Sequence, residues 1–393
     1  MPWKESTTMD LRREFVTLAL SSTIAFSELC HRFGISRKTG YKWLERYCRS
    51  GPSGLCDLSR RPLQSPYQTS TMIEDMIVSV RSKHPAWGPR KIVQSLTNDG
   101  VADLPSLSTV SAILRRRGCP GAGSGREHRD FQRFEAAAPN MLWQMDFKGH
   151  FQIAQGRCYP LTILDDHSRF SPAIEACSNQ KIATVQEKVQ AVFRHYGMPL
   201  AMIADNGAPW GSSGYDRYSD FDIWLMERDV RVMHSRIFHP QTCGKIERFH
   251  RSLKAEILAQ RILGSLEQCQ SAFDDWRYLY NTKRPHDALD LAVPASRYTP
   301  SPRPYQEHPP ALEYASDDHV RVVNDHGDLS FKGKHYRIGK SFARRKVALR
   351  VTEVDGALHV VFARQNIAVL NLRTHEIELL RHQTTTEHRG SNL

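Results

Sequence analysis

Three acidic residues are placed where they could hold a metal ion. Glu247 lies in the stretch HPQTCGKIERFHRSLKAE, residues 239–256. Within it Ile246, Phe249, Leu253 and Ile257 recur at i, i+3, i+7 and i+11, an apolar stripe that predicts a helix from Gly244 onward. Arg251 follows Glu247 by one turn and Lys254 by two, along nearly the same face. One reading is a helix-stabilising Glu–Arg pair at i, i+4. The sharper one is that Glu247 holds a cation and Lys254 holds the anion drawn to it. Asp146, in LWQMDFKGHF, falls inside a predicted strand among Leu142, Trp143, Met145 and Phe147. An unpaired carboxylate is costly to bury there, and a metal ion would offset that cost. Asp205, in IADNGAPW, falls where a strand ends, the usual place for ligands on α/β sheets. It also suits a plain turn before Asn-Gly. Asp166 reads as a turn residue and is taken as structural. Three carboxylates suit a hard ion, Mg²⁺ or Mn²⁺, better than zinc. In a basic protein they point to phosphate chemistry, in which two ions about 3.5–4 Å apart activate the attacking oxygen and stabilise the leaving one.

The elements that must position these residues are legible in outline. The chain has 393 residues, enough for about two to four domains. It carries 54 Lys+Arg against 42 Asp+Glu, a formal charge of +12 that favours an anionic partner, nucleic acid before a membrane surface. Residues 1–125 hold 18 Lys/Arg and 10 Asp/Glu, so two thirds of the excess lies there. No apolar run is long enough to span a membrane, and the N-terminal stretch does not read as a signal peptide. The eight cysteines are scattered without a Cys-x-x-Cys, which predicts reduced thiols, a cytoplasmic location and no structural zinc.

FSELCHRFGISRKTGYKWLERY predicts a helix, a turn at Phe33-Gly34 and a second helix capped by Ser36. Ile35, Trp43, Leu44 and Tyr47 can pack inward while Arg37, Lys38 and Lys42 point out, the helix-turn-helix layout. Arg60 and Arg61 lie in the basic, Pro/Ser-rich SRRPLQSPYQTS, which could follow a groove. Residues 71–118 predict three more helices, the second starting near Pro89 with Arg90 and Lys91, the third ending at Gly118. From residue 140 strands alternate with helices, which predicts an α/β domain with a mixed sheet. Residues 318–372 alternate in short runs cut by Gly and Asp, which predicts a small β-barrel or sandwich. The polar tail after Thr374 is expected to be disordered.

WQMDF, ADNG and HPQTCGKIERFHRSLKAE resemble the three catalytic blocks of the DDE integrase/transposase superfamily, whose core is ribonuclease H-like. Pro240, Gln241, Gly244, Glu247 and Lys254 fall at family positions. YNTKRPHDALDLAVPASRY is similar to the family's motif after the core. PNMLWQMDFKG, LDDHSRF, RRPLQSP and the two-module N-terminus narrow the resemblance to bacterial insertion-sequence transposases with retroviral-integrase-like cores. The resemblance implies that Asp146, Asp205 and Glu247 are the catalytic, metal-binding triad, served by Mg²⁺ or Mn²⁺, in two ions. It implies that Lys254 lies on substrate DNA, with Arg251 behind Glu247 meeting phosphates as well. The 41 residues between Asp205 and Glu247 exceed the family's usual spacing, and WGSSGYDRYSDF is read as the insertion.

The implied architecture has several domains. All-α helix-turn-helix modules span 1–58 and 71–118, the second winged-helix-like, joined by a basic linker at 59–70. After a linker at 119–139 comes a ribonuclease H-like core with a mixed five-stranded sheet at 140–300. A Pro-rich linker at 301–317 leads to a DNA-binding β-barrel at 318–374, in which Arg344 and Arg345 are candidate phosphate contacts, and a tail at 375–393. The implied activity is binding of terminal inverted repeats, then metal-dependent hydrolysis of a phosphodiester and strand transfer. The implied partners are double-stranded DNA, both element ends and target, and further copies of the chain, a dimer or higher on DNA at the nucleoid. The alternative is a catalytically silent DNA-binding regulator derived from such a protein.

Overall fold

The structure is a computed structural model that describes residues 7–58, 68–119, 135–204, 210, 217–234, 244–259 and 263–380. The chain divides into two compact units, Met1–Gln68 and Thr69–Leu393.

The first unit is built from α1 (Thr8–Ser21), α2 (Phe26–Arg32) and α3 (Arg37–Ser50). Thr7 and Asp10 close a capping box at the start of α1. The turn before α3 uses Gly34 at φ +63°, and the Ser36 hydroxyl accepts from Thr39 N at 3.2 Å to cap α3, as the sequence predicts. Phe15, Val16, Leu29, Cys30, Trp43 and Leu55 form the core. The helices can cross this closely because α3 presents Gly40. A Cβ there would meet Cys30 Sγ and the Phe15 ring at 2.8 Å.

The second unit begins with α4 (Thr71–Lys83), α5 (Pro89–Asn98) and α6 (Leu107–Arg116), capped by Ser70, Pro89 at the first position, and Ser106. Their core is Ile77, Trp87, Ile92, Leu96, Val110, Ile113 and Leu114.

The sheet domain follows. Its strands are β1 (Leu142–Phe147), β2 (Phe151–Ile153), β3 (Gly156–Asp165), β4 (Ala173–Cys177), β5 (Ala201–Ala204) and β6 (Arg231–His234). Its helices are α7 (Ile182–Tyr196), α8 (Asp220–Met226), α9 (Gly244–Leu253) and α10 (Leu266–Thr282). β1, β3 and β4 pair antiparallel, β5 and β6 join parallel to β1, and β2 extends the pairing along β3. This is the expected mixed sheet, with β2 as a short sixth strand. Strand pleating sends alternate residues to opposite faces. Trp143, Met145, Phe147, Leu161 and Ile163 pack with α7 and α8, whereas Leu164 and Ile174 pack with α9 and α10. Gln144, Asp146 and Thr162 belong to the α9 face by the same alternation.

The first three helices of this unit pack against the sheet domain. Leu279 of α10 joins their core, and Lys91 Nζ lies 3.2 Å from Asp287 Oδ2. The sequence predicts 71–118 as a helical module of its own. Its apolar pattern fixes the helices, but the ion pair and Leu279 come from residues almost 200 positions away.

The C-terminal region is sheet-rich. β7 (His319–Val322), β10 (Lys346–Val351), β11 (Ala357–Phe362), β12 (Gln365–Asn371) and β13 (Glu376–Leu379) form an antiparallel sheet in the order β13-β12-β11-β10-β7. β8 (Asp328–Phe331) and β9 (Lys334–Arg337) form a separate hairpin. Among the described residues no strand pairing closes the sheet into the expected barrel. The hairpin instead adds Leu329, Phe331 and Tyr336 to the sheet's apolar core, so packing takes the place of a closing hydrogen-bond ladder. β13 was expected to be disordered. Its Glu-Ile-Glu-Leu alternation is a weak strand signal that the pairing with β12 makes good. The region is fixed to the sheet domain: the Gln365 side chain accepts from Val232 N and donates to Val230 O, both at 3.1 Å, along the outer strand β6.

Candidate active site

Asp146 stands near the end of β1, with its side chain 29% exposed and its backbone paired to Thr162 of β3. α9 lies across this strand. The backbone N–H of Ile246 donates to the Gln144 side chain at 3.2 Å, and His250 Nδ1 lies 3.8 Å from Asp146 Oδ2. Glu247, exposed, precedes His250 by one turn of the same helix. Its carboxylate in the first turn is also favoured by the helix dipole. β5 runs parallel to β1 in the register Gln144 to Ile203, so its last residue, Ala204, is delivered to the Asp146 end of the sheet. Asp205 itself lies outside the described residues, as do Pro240 and Gln241. Among the described residues no cluster of three or more metal-binding side chains is present. The donors that are described, two carboxylates on elements that cross, are of the oxygen class that hard divalent ions take.

His250 was absent from the sequence reading. It is 7% exposed, and its Nε2 lies 2.7 Å from Thr162 Oγ1, which in turn donates to the Asp146 carbonyl at 2.9 Å. Burial, with the Lys148 charge second, pushes its pKa down to about 3, so the ring is neutral. The missed signal was the spacing Glu247-x-x-His250, which puts both side chains on adjoining positions of one helix face.

Asp166 anchors α9 from below, which is more than the turn role assigned to it. Fully buried, it accepts from Ala136 N at 2.7 Å, from the Gln144 amide at 2.8 Å and from Lys245 Nζ at 2.6 Å. Gln144 and Lys245 bracket the first turn of α9, so this network sets where Glu247 starts. At its far end α9 widens into a π-helical turn, Lys254–Leu258, in place of the straight helix expected. The widening lets Glu256 and Ile257 both face inward. Glu256 accepts from Arg284 Nε and from Trp276 Nε1, each at 2.9 Å. Lys254 opens this turn and is exposed, as is Arg251. π-turns of this kind are frequent at functional sites.

The remaining candidates fall on several faces. Arg37, Lys38 and Lys42 are exposed on α3, and Tyr41, which the sequence reading passed over, stands among them at 58% exposure, stacked on Phe26 at 4.2 Å. Arg60 and Arg61 lie outside the described residues. Arg90 is exposed, whereas Lys91 is turned to Asp287, and burial, then the Arg284 charge, lowers its pKa. Arg344 is exposed and paired with Asp325 at 2.6 Å. Arg345 bonds Glu227 at 2.9 Å and acts as a strut between the C-terminal sheet and the end of α8.

The chain matches known families along most of its length. Residues 11–62 match a helix-turn-helix domain and residues 39–114 a homeodomain-like domain. Residues 136–240 and 228–294 match two descriptions of the integrase core domain, and residues 318–378 match the C-terminal domain of IS481 family transposases. An uncharacterized 31.7 kDa protein of insertion element IS407 from Burkholderia multivorans is 26% identical over 47% of this chain. An uncharacterized 39.2 kDa protein of insertion element IS476 from Xanthomonas euvesicatoria is 28% identical over 41%. The chain spans 63% and 44% of the lengths of these two relatives. The transposase for insertion sequence element IS904 of Lactococcus lactis is 23% identical over 60% of this chain and 97% of its own. Among solved structures, a simian T-cell lymphotropic virus intasome in complex with a PP2A regulatory subunit aligns over 77% of this chain and 98% of that chain, at 15% identity and a TM-score of 0.38. Helix-turn-helix helices, an integrase core domain and an IS481-type C-terminal domain, in that order, make the chain similar to insertion-sequence transposases.

Proposed function

We propose that this chain binds the terminal inverted repeats of its element, hydrolyses a phosphodiester there to free a 3′-OH, and directs that hydroxyl at target DNA. The observation that carries the reading is α9 laid across the end of β1, with His250 3.8 Å from Asp146 and Glu247 one turn before it. Asp146, Asp205 and Glu247 are assigned as the triad that would hold Mg²⁺ or Mn²⁺, in two ions. The bound ions would supply Lewis-acid activation of the attacking oxygen and stabilisation of the leaving one. The chain's own part is positional. Gln144 and Asp166 fix the start of α9, and Lys254 reaches from its π-turn to a DNA phosphate. Two element ends must be joined, so the working form is an assembly of two or more copies on DNA. The C-terminal region, with exposed Lys332 and Lys334 on the β8–β9 hairpin and Lys346 at the start of β10, adds phosphate contacts.

The test is incubation with DNA carrying the flanks of the chain's own gene, with and without Mg²⁺, followed by mapping of nicked and joined strands. Metal-dependent nicks at the element ends support the reading. Sequence-selective binding with no nicking in any divalent ion would assign the chain as a silent regulator instead.

Two further results are expected. Lys254→Glu lowers joining far more than Lys254→Arg, because the contact is to phosphate charge, while thermal stability is unchanged. Unaltered joining by Lys254→Glu returns this lysine to the solvated surface. On the first unit, Arg37→Ala and Lys42→Ala each weaken binding of end DNA and each lower the slope of log affinity against log salt by about 1. A slope equal to wild type in both variants moves the DNA face away from α3.

A further inference from the structure

The Thr162 hydroxyl lies between the Asp146 carbonyl, at 2.9 Å, and His250 Nε2, at 2.7 Å. A hydroxyl has one proton to give. Both contacts are hydrogen bonds only if it donates to the carbonyl and accepts from Nε2–H. The ring is then the Nε2–H tautomer, and Nδ1 carries a lone pair. Nδ1 lies 3.8 Å from Asp146 Oδ2, beyond the reach of a hydrogen bond. Both atoms are electron-pair donors of the kind a divalent cation takes. Ligand atoms about 2.1 Å from a small divalent ion can stand at most about 4.2 Å apart, so a 3.8 Å separation lies within one ion's span. The sequence agrees. Glu247-Arg248-Phe249-His250 has the Glu-x-x-His spacing that di-iron and di-manganese carboxylate proteins use to bring two ligands from one helix.

We propose that His250 Nδ1 is a ligand of the divalent ion held by Asp146, which makes this a mixed carboxylate–imidazole site that favours Mn²⁺ over Mg²⁺. Oxygen donors suit both ions, but an imidazole nitrogen is a poor ligand for Mg²⁺, which keeps its waters. His250 therefore sets metal preference, and Thr162 is the positioning residue that holds its tautomer. The inference rests on Asp146 being an ion ligand, as proposed above.

The experiment uses the full chain with Mn²⁺ as an electron-spin probe, prepared once with natural histidine and once with ¹⁵N-histidine. Expected is a directly bound ¹⁴N coupling in the spin-echo modulation that changes to the ¹⁵N pattern on labelling. His250→Gln should lose the coupling and weaken Mn²⁺ by about 10-fold or more, with a smaller loss for Mg²⁺. Mn²⁺ binding that depends on Asp146 but shows no nitrogen coupling overturns the role of His250 and leaves the carboxylates standing. Mn²⁺ binding that is absent, or indifferent to Asp146→Asn, overturns this inference together with the reading beneath it. Should His250→Gln fail to fold, the labelled wild-type chain decides the matter alone.

Discussion

Asp146→Asn should abolish nicking and joining while end DNA still binds. Losing an outer partner of a metal ligand costs about 10–100-fold, and losing a ligand itself should exceed that range. Asn matches Asp in shape, so its packing beside Thr162 and His250 is kept and the loss reports charge and coordination. Stability should not fall. The proposed triad would draw carboxylates together, and removing one would relieve their repulsion in the metal-free protein. Glu247→Gln and Asp205→Asn should behave alike. The measurement is a strand-mapping assay in Mg²⁺ and Mn²⁺ run beside a gel-shift on the same end DNA and a melting curve. Near wild-type joining by any one of the three would remove that residue from the triad. Loss of end binding in step with joining would show that the residue holds the fold or the DNA instead.

Asp166→Ala should carry the largest stability cost. Asp166 is fully buried and accepts from Lys245, Gln144 and Ala136 N, at 2.6 to 2.8 Å. Breaking a buried ion pair by removing one partner costs about 3–5 kcal/mol, because the other charge is left uncompensated. Lys245 has a side chain 19% exposed and can turn partly to water, which places the expected loss toward the lower end. Lys245→Met combined with Asp166→Ala should recover part of it, since the orphaned charge is then gone. Activity should fall further than stability explains, because the first turn of α9 is no longer held and Glu247 moves with it. Urea unfolding of the single and double variants checks the first claim. Joining at a temperature where every variant remains folded checks the second. A loss under about 1 kcal/mol for Asp166→Ala would mean that α9 is fixed by its apolar stripe alone.

The sequence by itself determined what depends on near neighbours. Helix starts at Ser36 and Pro89 are set by chemistry within three residues, and both are found. The buried stripe of Ile246, Phe249, Leu253 and Ile257 follows from helical periodicity. The mixed sheet follows from the order of strands and helices, and the three candidate carboxylates from their blocks. Tertiary structure decided everything that needs a distant partner. Asp166 reads as a turn residue until Lys245, 79 positions on, is brought beneath α9. Lys91 reads as a free cation until Asp287 takes it, and Arg345 until Glu227 does. His250 reads as one more residue in a basic helix until β3 sets Thr162 beside it. The weak alternation of β13 reads as tail until β12 offers it an edge. A lone charge has the same local preferences whether it will meet DNA, a buried carboxylate or water. Its role is fixed only when the fold sets the dielectric around it and the charge opposite it.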